Sequence, residues 1–225
     1  MRIIVDRDGT ILDYAEMFYQ FCSDLYRDAA QKPPPQAEIN APAYWASVWS
    51  GLRIGTKQVS DHVDEVVRRY LPHHGVLYDG VATAAAVLRE RGYTLDLISG
   101  WVGSAETGTL LEELGIRELF DRVRTRDDLP GDDAGPVPDG AAKYRLALEG
   151  GAYRAEDFAF VVGDSSSDVD LARQLGVPCY LVGTGNGPTT SLAPDEDAFV
   201  TRVESFAALV SRPRLGEQRA GVREP

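Results

Sequence analysis

Cysteine is scarce: Cys22 and Cys179 are the only two in 225 residues, too few for a disulfide framework or a tetrahedral cysteine zinc site. Nothing beside either suggests a thiol nucleophile, and both read as reduced, buried side chains. Histidine is also sparse, and His62, His73 and His74 show no metal-like spacing with other ligands. Long apolar runs are missing. A membrane span needs about 18 or more apolar residues in a row, and the N-terminal run Ile3-Ile4-Val5 is too short for a signal peptide. A cytoplasmic protein with no membrane partner is therefore expected. Positive charge is in deficit, with 23 Lys and Arg against 35 Asp and Glu for a net charge of -12, which argues against a general nucleic-acid or anionic-membrane binder. There is no internal repeat and no extended low-complexity tract.

What the chain does contain is an alternation of apolar runs with helical patterns. Ile3 to Val5 is short, β-branched and ends in Asp6, as a central parallel strand would, with carboxylates leaving its carboxyl end where open α/β sheets bind ligands. From Asp13 to Ala30, Tyr14, Met17, Phe18, Phe21, Leu25 and Tyr26 recur at helical spacing until Pro33-Pro34-Pro35. Further helices are expected over about Ala41 to Ser50 and Thr56 to Tyr70. No β pattern stands between Asp13 and Tyr78, so this stretch reads as an all-helical insertion. Helices about Gly80 to Arg91, Ser104 to Leu114, Gly140 to Glu149 and Asp168 to Leu175 then alternate with strands Thr94 to Ile98, Asp121 to Thr125, Phe158 to Val162 and Cys179 to Val182. Asp127 to Asp139 reads as an exposed loop and 212–225 as a frayed tail. The division that follows is a core of 1–12 and 81–211, a cap of 13–80 and a flexible tail.

Four short segments at strand ends carry the chemistry. Asp6 and Asp8, two apart on an extended strand end, project to one side, while Gly9 allows a sharp turn and Thr10 can bond the loop back to itself. One carboxylate can attack phosphorus while the other, held neutral, protonates the leaving oxygen; a solvated Asp-Gly turn is the plain alternative. Gly163-Asp164-Ser165-Ser166-Ser167-Asp168 follows Phe158 to Val162 and sets a second carboxylate pair at another strand end. Hard oxygen ligands suit magnesium, and Ser with Asp also suits a helix N-cap; both hold if Asp164 faces the metal and Asp168 supports it. Ser99-Gly100, after Thr94 to Ile98, can hold a phosphoryl oxygen or form an ordinary turn. Lys143 can neutralise a phosphoryl group, or stand in solvent as most helical lysines do.

Asp6-Arg7-Asp8-Gly9-Thr10, Ser99, Lys143 and Gly163-Asp164 with Asp168 resemble the four motifs of the haloacid dehalogenase-like hydrolase superfamily over about residues 1 to 210, and Leu77-Tyr78-Asp79-Gly80-Val81 is similar to the return from cap to core in its capped members. Phosphoglycolate and phosphoserine phosphatases are the subfamilies it resembles. The resemblance implies a Rossmann-like three-layer α/β core with a mainly parallel sheet and an inserted all-helical cap. It implies a phosphatase that hydrolyses a small phosphorylated metabolite through an aspartyl phosphate. It makes Asp6 the nucleophile and Asp8 the general acid and then base, and it has Ser99, Gly100 and Lys143 bind the phosphoryl group. It has Mg2+ held by the Asp6 and Asp164 carboxylates and the Asp8 carbonyl, with Asp168 in or next to the shell. Asp8 disfavours dehalogenation.

Two departures stand out. Arg7 occupies a position that is commonly apolar in capped members, and Asp-Arg-Asp-Gly-Thr resembles the capless histidinol-phosphate and heptose-bisphosphate phosphatases; the long stretch from Asp13 to Tyr78 keeps the cap. Lys143 is followed by Tyr144-Arg145-Leu146 and not by the Lys-Pro of the phosphoglycolate type. Trp101 is placed to line the pocket or to pack beneath the cap, and Arg53 and Lys57 either reach a second anionic group or are solvated. A phosphomutase and a non-catalytic phosphate-binding protein are the competing readings. Oligomeric state is open.

Overall fold

Ile3, Ile4 and Val5 lie buried on both faces of β1 (Arg2–Val5), which fixes that strand in the middle of its sheet. The computed structural model describes residues 1–130, 140–148, 151–212 and 215–216. After β1 the chain makes β2 (Leu12–Asp13), α1 (Ala15–Asp28), α2 (Gln36–Ile39), α3 (Pro42–Trp49), β3 (Arg53–Ile54), β4 (Lys57–Gln58), α4 (Leu71–His74) and β5 (Val76–Leu77). It continues through α5 (Val81–Glu90), β6 (Thr94–Ile98), α6 (Ser104–Glu113), β7 (Arg122–Arg124), α7 (Gly140–Leu148), β8 (Phe158–Gly163), α8 (Ser166–Leu175), β9 (Cys179–Val182) and β10 (Val200–Val203).

Six strands form one sheet in the order β10-β9-β8-β1-β6-β7, and every neighbouring pair is parallel. Helices cover both faces, so β8 and the inner part of β1 read as apolar runs instead of alternating ones, while β6 carries one buried charge, Asp96, paired with Arg122 at 2.6 Å and Arg2 at 3.3 Å. Successive side chains still divide between the faces. Ile3, Val5, Leu95, Leu97, Phe160 and Val162 join one core with α1, α5 and α6; Ile4, Ile98, Val161 and Leu181 join the other with α7 and α8. Burying each such side chain contributes roughly 1.5–3 kcal/mol. The expected α/β alternation is present, and the architecture is the Rossmann-like one.

The insertion departs from expectation in two places, the stretch from Arg53 to Tyr70 and the short strand β5 at its exit. The apolar spacing over Thr56 to Tyr70 suggests one helix, but the chain instead makes the β3–β4 hairpin, a 3-10 turn over Val59–His62 and a π-helical turn over Val66–Tyr70. Gly55, at φ +59°, turns the hairpin, and its two-residue arms are too short to show alternation. Val59, Val63, Val66 and Val67 are all buried; their tertiary packing overrides a helical pattern that β-branched residues support weakly. The insertion is thus helical apart from this hairpin and the β2–β5 ladder, whose pair Leu12↔Leu77 ties its entrance to its exit.

β10 has no counterpart in the sequence reading. It is a short, half-exposed edge strand paired to β9, and too little of it is buried to stand out as apolar. Asp127 and Asp128 belong to a 3-10 turn opened by Thr125, whose N–H donates to Asp128 at 2.8 Å; residues 131–139 of the expected loop lie outside the described residues. Within the expected tail, Leu215 is buried and the Tyr93 hydroxyl donates to its carbonyl at 3.2 Å, while 213–214 and 217–225 lie outside the described residues. No described helix is long and apolar enough to cross a membrane.

Candidate active site

The sheet reverses its winding at β1: the chain proceeds outward through β6 and β7, then returns to β8 on the other side of β1. A crevice opens at the carboxyl ends where winding reverses, and Asp6, Ser99 and Asp164 are the first residues beyond β1, β6 and β8. The Asp6 N–H donates to the Val162 carbonyl at 2.9 Å, locking the two strand ends together. Gly9, at φ +76°, then turns the chain away. A Cβ there would lie 2.0 Å from Asp164 Oδ2, so glycine is needed for close approach as well as for the turn. The loop is closed by the backbone, Gly9 N–H to the Leu12 carbonyl at 2.8 Å and Leu12 N–H to the Arg7 carbonyl at 2.9 Å. The Thr10 hydroxyl, expected to do this, is buried without a partner; the Thr184 hydroxyl binds the Gly9 carbonyl instead, at 2.6 Å.

Three buried carboxylates, Asp6, Asp164 and Asp168, bring oxygens within 4.8 Å of one another. Lys143, itself only 3% exposed, sits between two of them, 2.6 Å from Asp168 Oδ1 and 2.9 Å from Asp6 Oδ1. Burial alone would lower the Lys143 pKa, but Asp168 and Asp6 outweigh it and hold the ammonium charged. Burial first, and then the Asp168 charge, push Asp6 up to about 7 against the pull of Lys143. Asp164 is raised as well, by burial and by Asp6. One ammonium against three buried carboxylates leaves the site short of positive charge, and hard oxygen donors of this kind fit a divalent cation. Asp168 has both oxygens engaged, Oδ1 by Lys143 and Oδ2 by the Ser165 N–H and hydroxyl at 3.1 and 2.8 Å, so it orients Lys143 while capping α8.

Asp8 stands apart from that cluster. Its Oδ2 accepts from Arg7 Nε at 2.9 Å and from the Ser99 hydroxyl at 3.2 Å, while its Oδ1 is buried without a hydrogen-bond partner. Arg7 is fully buried and also donates through Nη1 to the Val102 carbonyl at 3.0 Å and to the Thr107 hydroxyl at 2.6 Å. Above these groups is a cavity of about 410 Å3 whose floor holds Asp6, Asp8, Ser99, Gly100, Lys143 and Asp164. Its roof comes from the insertion. Trp101 lines the cavity and also packs under the insertion, its indole N–H donating to Asp64 at 3.1 Å. That same Asp64 accepts from Arg126 at 2.6 Å. Across the opening, the Tyr14 hydroxyl lies 3.2 Å from Asn186 Oδ1.

A family model described as haloacid dehalogenase-like hydrolase matches residues 3–182. The chain belongs to that family. It is 26% identical over 225 residues to the plasmid phosphoglycolate phosphatase of Cupriavidus necator, spanning 95% of this chain and 94% of that one. To the phosphoglycolate phosphatase of Thiobacillus denitrificans it is 25% identical over 229 residues, spanning 93% and 95%. Among solved structures, CbbY from Rhodobacter sphaeroides in complex with phosphate superposes with a TM-score of 0.66 at 18% identity, over 92% of this chain and 95% of that one. This last likeness is one of fold.

In this haloacid dehalogenase-like hydrolase, every residue singled out as nucleophile, acid, phosphate binder or metal ligand lies at the cavity floor or, for Asp168, directly behind it. The Asp8 side chain is not among the clustered metal-type ligands. Arg53 and Lys57 are not brought in: Arg53 binds the Thr56 carbonyl and Lys57 pairs with Asp28 at 3.2 Å, both facing solvent. Sequence reasoning missed the anchoring by Arg7, the Asn186 N–H that donates to Asp164 at 2.6 Å, and the roof residues Trp45 and Trp49. The tryptophan pair was visible at i and i+4 in an uncharged helix. Arg7 and Asn186 carried no signal in their spacing.

Proposed function

We propose that this protein is a magnesium-dependent phosphomonoesterase that hydrolyses a small phosphorylated metabolite through an aspartyl phosphate on Asp6. The observation that carries this reading is the division of labour among the carboxylates. Asp6 lies against Lys143 at 2.9 Å, while Asp8, held by Ser99 and Arg7, is free of that cluster and lines the same cavity. In the first step an Asp6 oxygen forms a bond to phosphorus as the ester P–O bond breaks, and Asp8 gives its proton to the departing alcohol oxygen. In the second, Asp8 takes a proton from water as the water oxygen bonds to phosphorus and the Asp6–phosphorus bond breaks. Ser99, Gly100 and Lys143 hold the phosphoryl oxygens in both steps. Magnesium, held by Asp6, Asp164 and the Asp8 carbonyl with Asp168 alongside, would neutralise charge on the phosphoryl oxygens.

Residues 13–80 act as the cap, excluding bulk water over a core made of 1–12 and 81–211. The two buried, unpaired thiols and the net charge of -12 support a cytoplasmic location without nucleic-acid or membrane partners. Phosphate release from 4-nitrophenyl phosphate, with magnesium and with chelator, tests the activity. Asp6→Asn is expected to abolish turnover while circular dichroism stays unchanged; retained hydrolysis would rule out Asp6 as nucleophile. A bisphosphate-dependent isomerisation of a sugar phosphate would reassign the same residues to a mutase.

A further inference from the structure

The roof of the cavity is built largely by one short helix. α3 carries no charged residue, and Pro42, Trp45 and Trp49, three and four positions apart, share one helical face; all three line the cavity. Trp45 is fixed in place. Its ring stacks on Phe18 with centroids 3.8 Å apart and meets Tyr14 and Trp101 edge-on at 5.7 and 6.3 Å. Trp49 extends the row, 6.4 Å from Trp45 with 24° between ring planes, yet is 45% exposed. A tryptophan face left open at a cavity mouth is a surface that a flat apolar group would cover favourably.

Charge runs the other way. Among the described residues lining the cavity Lys143 is the only cation, and Asp168 and Asp6 already hold it at 2.6 and 2.9 Å. The remaining wall, including Ser166, Ser167, Asn186 and Thr189, is uncharged. An alcohol bearing its own carboxylate or second phosphate would enter beside the aspartates of the floor with no further cationic side chain in the lining to meet it, the magnesium proposed above being taken up by the phosphoryl group.

We infer that the substrate is a phosphate monoester whose alcohol carries a flat, uncharged aromatic ring, with the phosphoryl group at Ser99 and Lys143 and the ring against Trp45 and Trp49. This rests on the phosphatase reading above and leaves its bond changes as they stand: the ring belongs to the alcohol that receives the Asp8 proton. A cavity of about 410 Å3, toward the small end of the roughly 300–1,000 Å3 of small-molecule sites, suits a ligand of this size.

Steady-state kinetics with benzyl phosphate, ethyl phosphate and 2-phosphoglycolate test the inference. Benzyl and ethyl phosphate both release alkyl alcohols, so their comparison isolates the ring from leaving-group reactivity. The expected result is a kcat/KM for benzyl phosphate roughly tenfold or more above that for ethyl phosphate, with 2-phosphoglycolate the poorest of the three. Trp49→Ala should bring the benzyl-to-ethyl ratio close to one and Trp49→Phe should keep most of it; a ratio is unaffected by partial loss of active enzyme. Preference for 2-phosphoglycolate, or a ratio unchanged in Trp49→Ala, overturns the inference while the phosphatase stands. If no ester turns over, 4-nitrophenyl phosphate included, the phosphatase reading fails, and calorimetric titration with benzylphosphonate decides the ring site. Binding weakened about tenfold in Trp49→Ala would uphold it, and equal affinity for ethylphosphonate would overturn it.

Discussion

Arg7 has no exposed surface although it carries a full charge. A buried guanidinium is tolerated only where its charge is met: Nε reaches Asp8, Nη1 the Val102 carbonyl and the Thr107 hydroxyl, and Nη2 lies 2.8 Å from Asp8 without a hydrogen bond of its own. One consequence is structural and the other chemical. The carbon stem packs in the interior, and the guanidinium fixes the rotamer of the adjacent Asp8, the acid of the proposed mechanism. Arg7→Ala is therefore expected to lower kcat by roughly 100-fold, the smaller end of what a positioned acid contributes, with little change in KM, and to cost about 3–5 kcal/mol of stability. Arg7→Lys retains the charge without the fork geometry and should fall between the two. Denaturant melts and steady-state kinetics measure both, and an unchanged kcat in folded Arg7→Ala would remove Arg7 from any positioning role.

At the scale of elements, helix starts are served by carboxylates near in sequence in one case and distant in the other. α8 opens with a capping box, Ser165 and Asp168, three residues apart, which is why that turn was legible in the sequence. α6 follows Gly103 at φ +96° and has no cap of its own; Asp127 Oδ2 accepts the Gly103 and Ser104 N–H groups at 2.7 and 3.4 Å, and its other oxygen pairs with Arg68 of the insertion at 2.8 Å. Burial works to raise the Asp127 pKa, but those N–H bonds and Arg68 outweigh it and hold the carboxyl below its ordinary 3.8. Asp127→Ala should cost about 0.5–2 kcal/mol, read as a lower thermal midpoint. Because the folded pKa is depressed, the difference between wild type and variant is present above the unfolded pKa and fades as pH falls through the folded one. A midpoint difference that persists undiminished in acid would show that Asp127 acts by something other than its charge.

Across the whole molecule the governing imbalance is three buried carboxylates against one lysine at the rim of the sheet. Asp6 is pushed up to about 7, mostly by burial, from an ordinary 3.8, and Asp164 moves the same way. A raised carboxyl pKa means that the folded protein keeps a proton which the unfolded chain has already lost. The stability this supplies is complete below the unfolded pKa and is lost as pH rises through the folded one. Metal-free protein should therefore lose stability between about pH 4 and pH 7, and magnesium should raise the thermal midpoint at pH 8 far more than at pH 5, where protons compete for the same oxygens. Melts at the two pH values, with magnesium and with chelator, check this. An equal magnesium shift at both would locate the binding elsewhere.

The sequence by itself determined the order of elements and the residues that could carry chemistry. Buried parallel strands are largely apolar on both faces, so Ile3 to Val5 and Phe158 to Val162 announce themselves, as does Thr94 to Ile98 around its one ion-paired Asp96, and β1, β6 and β8 hand the chain to Asp6, Ser99 and Asp164. Only the tertiary structure decided what those residues touch. The Asp168–Lys143 pair, the hold of Arg7 on Val102 and Thr107, and the seat of Asp164 against Gly9 and Asn186 join positions remote in the chain. Such contacts follow from how β1, β6 and β8 lie side by side, and local periodicity carries no trace of them. The insertion shows the same limit from the other side: Thr56 to Tyr70 have spacing that suits one regular helix, and packing against α1 and the core gives the second arm of a hairpin, a 3-10 turn and a π-helical turn instead. Local pattern fixes which residues are apolar and where strands end, whereas the packing of one element on another sets the distances on which the chemistry depends.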